Sequence, residues 1–131
     1  MFAFLKNDYE KSIKLFSAAI RVDPEHTLSL MSRGSAYFRL DRLDEAIADF
    51  DRAIQFKPDL ARSYHLRGLA KERQGNDAEA ITDFEKAIEL DPEYGAAYYS
   101  RATLHTKMGN EDLAVEDIKM VEFLTNRNIE T

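Results

Sequence analysis

Three arginines, Arg33, Arg67 and Arg101, recur at a constant interval of 34 residues, and each lies next to a small residue. Arginine can donate two parallel hydrogen bonds to a carboxylate or a phosphate. The ladder could therefore bind a phosphate backbone or pair with acidic side chains of the same chain. We interpret it as structural, with stems packed on neighbouring helices and heads paired to carboxylates such as Asp49 and Asp83. As surface pairs, these contacts are expected to contribute about 0–1 kcal/mol each.

The three histidines, His26, His65 and His105, do not form a ligand pattern. They fall at different places within the 34-residue interval, and none has a second ligand three or four residues later. A zinc site needs three or four converging donors, so no metal site is expected. The sequence also lacks cysteine and a glycine-rich phosphate loop. We expect no catalytic site and no cofactor, and therefore not an enzyme.

Composition indicates a single acidic domain. The 131 residues include 18 basic and 24 acidic side chains, for a net charge of −6. This balance lacks the basic field that drives nucleic-acid binding, so no nucleic-acid partner is expected. No apolar run approaches the roughly 20 residues that span a bilayer, and the opening residues MFAFLKN do not resemble a signal peptide. The absence of cysteine fits a reducing compartment, and we expect a cytoplasmic protein.

The 34-residue interval also appears in Pro24, Pro58 and Pro92, and the segments before these prolines are alike. A constant period of this length is typical of stacked helix–turn–helix units. Proline disfavours helical geometry at the residue before it, so each proline marks a helix end. Apolar residues at helical spacing predict two helices of about 12–14 residues per unit, packed antiparallel across a short polar turn.

The period divides the chain, as one domain, into a partial repeat (1–26), two full repeats (27–60 and 61–94) and a degenerate terminal repeat (95–128). The first unit begins partway through its first helix, of which MFAFL supplies one or two turns before a second helix over residues 9–22. In each full unit a small residue is expected where the two helices approach most closely. Phe50 and Phe84 are expected to fill the gap between successive hairpins.

This pattern resembles the tetratricopeptide repeat family. The matching positions are a large apolar residue (Leu30, Tyr64, Tyr98), a small residue (Gly34, Gly68, Ala102), an Ala-Ile or Ala-Val pair (46–47, 80–81, 114–115), Phe50 and Phe84, a second alanine (Ala53, Ala87) and the prolines. The resemblance implies an all-α, right-handed α-solenoid of antiparallel helix pairs, with about three full units, an N-terminal half unit and a groove lined by each first helix. In the last unit Ile118, Val121 and Asn126 depart from the pattern, so its second helix is expected to run toward residue 127.

One face of each first helix points into the groove, at about 100° per residue. This face is mildly basic on an acidic protein and also carries apolar side chains. We therefore predict a noncatalytic scaffold that binds a protein or peptide partner, with an acidic group and one or two apolar anchors. The expected peptide-binding residues are Met31, Ser35, Phe38, Arg39, Arg62, His65, Leu66, Leu69, Arg73, Tyr99, Thr103 and Lys107.

One alternative to this prediction remains open, and a second is not expected. The long basic side chains could simply solvate the helices. The groove could also accept the C-terminal carboxylate of a heat-shock chaperone, as in some family members. Among the positions of such a clamp, only the one occupied by Arg62 carries a suitable residue in this sequence. A chaperone-tail clamp is therefore not expected.

Apolar residues at both ends of the repeat array have no neighbouring unit to cover them. The chain is a fragment of a longer repeat protein, or its short N-terminal turn suffices as a lid, or the exposed ends pair between copies as a homodimer. The last interpretation makes the protein a self-assembly unit rather than a peptide-binding module. The residues expected at such an interface are Phe2, Phe4, Phe16, Met120, Phe123 and Leu124.

Overall fold

The computed structural model describes residues 3–130, with side chains described from residue 5 to residue 127. This part of the chain forms seven α-helices and no strand, which confirms the predicted all-α class. The helices are α1 (Ala3–Val22), α2 (Thr27–Arg39), α3 (Leu43–Phe56), α4 (Ala61–Arg73), α5 (Asp77–Leu90), α6 (Gly95–Lys107) and α7 (Glu111–Glu130).

The helices stack as a solenoid of hairpins. Helix α2 pairs with α3, α4 with α5 and α6 with α7, and the second helix of each pair packs on the first helix of the next. Helices α2 to α6 have 13 or 14 residues, as the sequence predicts. Helices α3 and α5 both end two residues before a proline, because proline prevents continuation of the helix.

Both terminal helices are longer than the inner ones. Helix α1 is continuous over 20 residues. The expectation that one or two turns of a first helix precede a separate helix at residues 9–22 is therefore wrong. Residues 3–22 contain neither glycine nor proline, and nothing in this segment interrupts the helix. Helix α7 also has 20 residues and passes residue 127, as expected for a unit in which Asn126 stands at the proline position.

Glycine allows the two helices of each inner hairpin to approach closely. A Cβ atom added to Gly68 would lie 2.6 Å from Cε1 of Phe84, and one added to Gly34 would lie equally close to Phe50. The predicted role of the small residues is therefore confirmed. The phenylalanines do more than fill the gap between hairpins, since each packs inside its own hairpin, and Phe84 also packs with Leu104 of the next one.

Replacing Gly68 by Ala is expected to lower the free energy of unfolding by up to about 2 kcal/mol. Alanine favours helix by about 1 kcal/mol, but forcing the Phe84 ring away from its position costs about 1–3 kcal/mol. The double variant Gly68→Ala/Phe84→Ile copies the Ala102 and Ile118 pair of the last unit, and the two changes should offset each other in part. Urea unfolding measures both, and a stabilised Gly68→Ala protein would show that the helices do not approach this closely.

The turns inside the three hairpins share one left-handed residue. Gly75 and Gly109 have φ angles of 89° and 85°, and Asp41 has a φ angle of 61° at the same place in the preceding unit. A left-handed residue after a helix lets the chain reverse within a few residues, and aspartate tolerates this conformation better than most residues. The turns therefore keep one geometry although the residue changes.

The arginine ladder links the two helices of each hairpin, as predicted. Each arginine donates two hydrogen bonds to an aspartate 16 residues later, through its Nε and Nη2 atoms. The pairs are Arg33 with Asp49 (2.8 and 2.7 Å), Arg67 with Asp83 (2.9 and 2.8 Å) and Arg101 with Asp117 (2.9 and 2.7 Å). The three aspartates are buried, so the expectation that these pairs lie on the surface is wrong. The cause is that each carboxylate lies between the packed helices rather than on their solvent face.

The ladder also reaches the preceding unit. Nη1 of Arg33 donates to Oγ of Ser17 at 3.2 Å, and Nη1 of Arg67 donates to Oδ1 of Asp51 at 2.9 Å. The hydrogen bonds to Asp83 and Asp51 raise the pKa of Arg67 against the opposing effect of burial. Arg33 and Arg67 therefore each join three helices, which links one hairpin to the preceding unit.

Candidate peptide-binding groove

The first helices of the three hairpins share one surface. A cavity of about 350 Å³ is lined by Phe38 of α2, by Leu69, Glu72 and Arg73 of α4, and by Lys107 of α6. Four of these side chains, all except Glu72, are among the expected peptide-binding residues. The stacking of the hairpins therefore brings residues from all three units together, although they are far apart in the sequence.

Most of the expected groove residues are accessible. Ser35, Phe38, Leu66 and Leu69 are half-buried, and Arg39, Arg62, Arg73, Tyr99, Thr103 and Lys107 are exposed. On α4, Arg62, Leu66 and Leu69 follow at helical spacing and so share one face. The groove thus combines a basic side chain with adjacent apolar surface.

Met31 and His65 do not line the surface as expected. Met31 packs in a core cluster with Leu30 and Ala53, and the hydroxyl of Ser63 donates to its sulfur atom over 3.4 Å. His65 holds the same place in the next unit and is also buried. The first helix of the following hairpin covers this position, so the correction follows from stacking rather than from the helix that carries the residue.

His65 anchors a polar network between the second and third hairpins. Its Nδ1 lies 3.1 Å from the hydroxyl oxygen of Tyr94, and its Nε2 lies 2.9 Å from Oγ of Ser100. The ring also packs on Phe84, with the ring centroids 5.7 Å apart. Burial, and then the positive charge of Arg62, lower the pKa of His65 to about 4, so the ring is neutral at pH 7.

The network places the hydroxyl of Ser100 beside the His65 ring, as in an activated nucleophile with its base, and Tyr94 orients the ring. Acyl transfer also requires hydrogen-bond donors aimed at a developing oxyanion. Ser100 lies inside α6, where the backbone N–H groups are used within the helix. The arrangement therefore acts as a packing element between units, which the sequence alone did not reveal.

Two of the groove cations are engaged by neighbouring units. The Nη1 atom of Arg73 donates to the carbonyl oxygen of Phe38 at 3.2 Å, and its guanidinium lies 4.0 Å from the centre of the Phe38 ring. Nζ of Lys107 lies 3.5 Å from Oδ1 of Asp77. Burial raises the pKa of Glu72, which lies in the same cavity. Two carboxylates, Glu72 and Asp77, therefore accompany the two cations at this end of the groove.

Arg62 is the cation best placed to meet a ligand. It is exposed, and among the residues whose side chains the structure describes it forms no ion pair. After burial, its charge is the second cause of the lowered pKa of His65, and it opposes the rise that burial produces in the pKa of Tyr94, which places it beside the polar network. An anionic group bound here would meet Arg62 at the edge of the apolar surface formed by Leu66 and Leu69.

The residues expected at a self-association interface do not form one patch. Phe2 and the side chain of Phe4 lie outside the described residues. Phe16 is half-buried, and Leu124 is buried, so its expected exposure is wrong. Met120 and Phe123 are exposed on α7, at places where α3 and α5 carry the polar residues Arg52, Lys86, Gln55 and Glu89.

The described part of the chain offers neither a metal-binding cluster nor a membrane-spanning helix. Within it, no group of three or more His, Asp or Glu side chains is arranged to hold a metal ion. No helix in that range is both long enough and apolar enough to cross a membrane.

Comparison with known proteins matches three tetratricopeptide repeat models, at residues 5–61, 61–94 and 83–116. Similar solved structures include MamA (residue 41 to the end) from Desulfovibrio magneticus RS-1, with a TM-score of 0.84 and 21% identity over 92% of this chain and 68% of that chain. Another MamA crystal structure has a TM-score of 0.73 and 22% identity over 96% of this chain and 94% of that one. A comparison with curated proteins finds no significant match. At these identities the structural likeness shows the fold alone.

Proposed function

This chain belongs to the tetratricopeptide repeat family of protein-interaction scaffolds, and we propose that it binds an acidic peptide segment of a partner in the groove formed by α2, α4 and α6. The observation that carries the proposal is Arg62, an exposed cation beside half-buried Leu66 and Leu69. Arginine can hold a carboxylate through two hydrogen bonds, and the leucines offer a place for an apolar anchor. The function is then recognition without chemistry.

The groove geometry also limits what the partner segment looks like. Glu72 lies between Arg73 and Lys107 in the cavity at one end of the groove, so a second acidic group is not favoured there. Phe38 and Leu69 in the same cavity offer apolar contact. We expect a segment with one acidic residue near Arg62 and an apolar side chain about two turns of α4 away.

The Arg62→Glu variant is expected to bind such peptides at least about tenfold more weakly than the wild type, because one charge pair is lost and a repulsion is gained. A display library of random 12-residue peptides selects binders of the wild type, and fluorescence anisotropy measures the affinity of each variant. Lys57→Glu makes the same change of charge outside the groove and should leave the affinity unchanged. Equal affinity for the wild type and Arg62→Glu, or loss of binding in Lys57→Glu, would exclude the groove assignment.

Self-association through α7 is a second candidate function, favoured by Phe123, whose side chain is 60% exposed. Such a residue outside the core indicates an interface when it belongs to an apolar patch, and Met120 lies one turn away on the same helix. We expect the wild type to sediment as a dimer at micromolar concentration and Phe123→Glu to sediment as a monomer. Gln55→Glu, at the same place in the second unit, is the control. A monomeric wild type would remove this candidate.

A further inference from the structure

The third hairpin carries an uncovered surface that is buried in the first two. Met31 and His65 occupy equivalent places and are 3% and 7% exposed, because the next hairpin covers each of them. Tyr99 is the third member of this series, and it is 59% exposed. The same side of α6 thus presents an aromatic ring where the other units bury a core side chain.

Helix α7 shows the same contrast. Phe50 and Phe84 are 1% and 0% exposed, whereas Ile118 at the third equivalent place is 37% exposed. Val115, one turn earlier on the same face, is also exposed. The residues remain apolar although no described helix covers them.

These side chains line two cavities formed by α6 and α7, together called the trough below. A cavity of about 420 Å³ includes Tyr99, Val121 and Leu124 in its lining. A second cavity of about 500 Å³ includes Val115, Ile118 and Lys119. In the inner units the corresponding surface is filled by the next first helix, through Leu66 on the Met31 cluster and Leu104 on the Phe84 cluster. The fold therefore shows that an amphipathic helix is the shape that fits.

A change of charge distinguishes the trough from the inner interfaces. The ladder arginine of each hairpin faces one residue of the preceding second helix. Arg33 meets Ser17 and Arg67 meets Asp51. The pKa of Arg101 is raised mainly by its hydrogen bond to Asp117, and the negative charge of Glu85 adds a smaller effect in the same direction. The next residue in this series is Lys119, so the acceptor for a fourth arginine is replaced by a cation.

We propose that the trough formed by α6 and α7 binds an amphipathic helix of a partner protein. This helix carries a carboxylate opposite Lys119, at the place where a first helix of this chain carries its ladder arginine. A further unit of the same kind would bring an arginine against Lys119, and like charges at this distance repel. A second copy of α7 packed into the trough would bring two acidic residues for each lysine, because Glu111 and Glu122 line the same cavity. A helix with one carboxylate opposite Lys119 avoids the repulsion between arginine and lysine, and it brings fewer negative charges to the cavity than a second α7.

The probe is a synthetic peptide with the sequence of residues 94–108, which covers the equivalent surface inside the chain. It is held helical by a side-chain staple, because an isolated helix of this length is marginal in water. One form keeps Arg101 and the other carries Arg101→Glu. Fluorescence anisotropy should give the Glu form about five- to tenfold higher affinity, a modest ratio because the charge pair is only partly buried.

Three protein variants separate the possible outcomes. Lys119→Glu should reverse the preference between the two peptides, Ile118→Asp should abolish binding of both, and Lys86→Glu, one helix away, should change neither. The proposal is overturned by equal affinities, by a preference that Lys119→Glu does not reverse, or by a wild-type dimer that Ile118→Asp dissociates. Arg62→Glu should leave binding of both peptides intact, so the result does not depend on the proposed groove function.

Discussion

Arg101→Met is expected to lower the free energy of unfolding by about 3–5 kcal/mol, because it leaves the carboxylate of Asp117 buried without its cation. Asp117 is 4% exposed and pairs with Arg101 alone among the side chains described. The expected loss is several times that of a surface pair. Urea unfolding followed by circular dichroism at 222 nm measures it.

The other steps of the ladder should lose less when their arginine is removed. Nζ of Lys71 lies 3.4 Å from Oδ2 of Asp83, and Nη1 of Arg52 lies 3.0 Å from Oδ1 of Asp49. Each of these carboxylates therefore keeps a second cation when its ladder arginine is removed. Arg67→Met and Arg33→Met are therefore expected to be milder than Arg101→Met. If the three variants lost equal stability, burial of an unpaired carboxylate would not be the dominant effect.

Two controls identify the cause of the loss. Arg101→Met/Asp117→Leu removes both charges and should regain most of the lost stability, since a packed apolar pair can replace a buried ion pair at little cost. Arg127→Met breaks an exposed pair with Glu93 and should cost no more than about 1 kcal/mol. A double variant as unstable as Arg101→Met would mean that the arginine stem, rather than its charge, holds the hairpin together.

The ladder shows what sequence periodicity can and cannot predict. The 34-residue interval predicted the hairpins, their helix lengths and the pairing of the arginines with Asp49 and Asp83. It did not predict the strength of these pairs, because burial of each carboxylate depends on how closely two helices approach. That distance is set by Gly34, Gly68 and Ala102 against the facing helix, and it is a property of the packed structure.

Residues 31, 65 and 99 show why the groove was predicted only in part. They share one place in the repeat, and helical geometry alone puts all three on the same face. Stacking then covers Met31 and His65 and leaves Tyr99 exposed. The position in the array, rather than the residue type, decides exposure, and a pattern read within one helix does not contain it.

The chain is expected to lose about 3 kcal/mol of stability through His65 alone as the pH falls from 7 to about 4. The pKa of this ring is about 4 in the folded protein and about 6.5 in an unfolded chain. Between these values the unfolded state binds the proton more readily, so acid favours unfolding. The contribution is complete above pH 6.5, fades as the pH falls toward 4 and changes no further below it.

His65→Met tests this prediction, because methionine occupies the same place in the first hairpin as Met31. At pH 7 the variant should be less stable by about 1–2 kcal/mol, since Tyr94 and Ser100 lose their common hydrogen-bond partner. It also lacks the titrating ring, so its stability should fall less in acid, and the two unfolding curves should cross near pH 5. Urea unfolding at pH 7, 5.5 and 4 provides the comparison, and other acid-sensitive groups cancel in the difference.

Tyr94→Phe is the control, because it removes one hydrogen bond but keeps the His65 ring. It should lose about 1 kcal/mol at every pH and retain the acid dependence of the wild type. Parallel pH curves for the wild type and His65→Met would show that the neutral ring does not link the second and third hairpins.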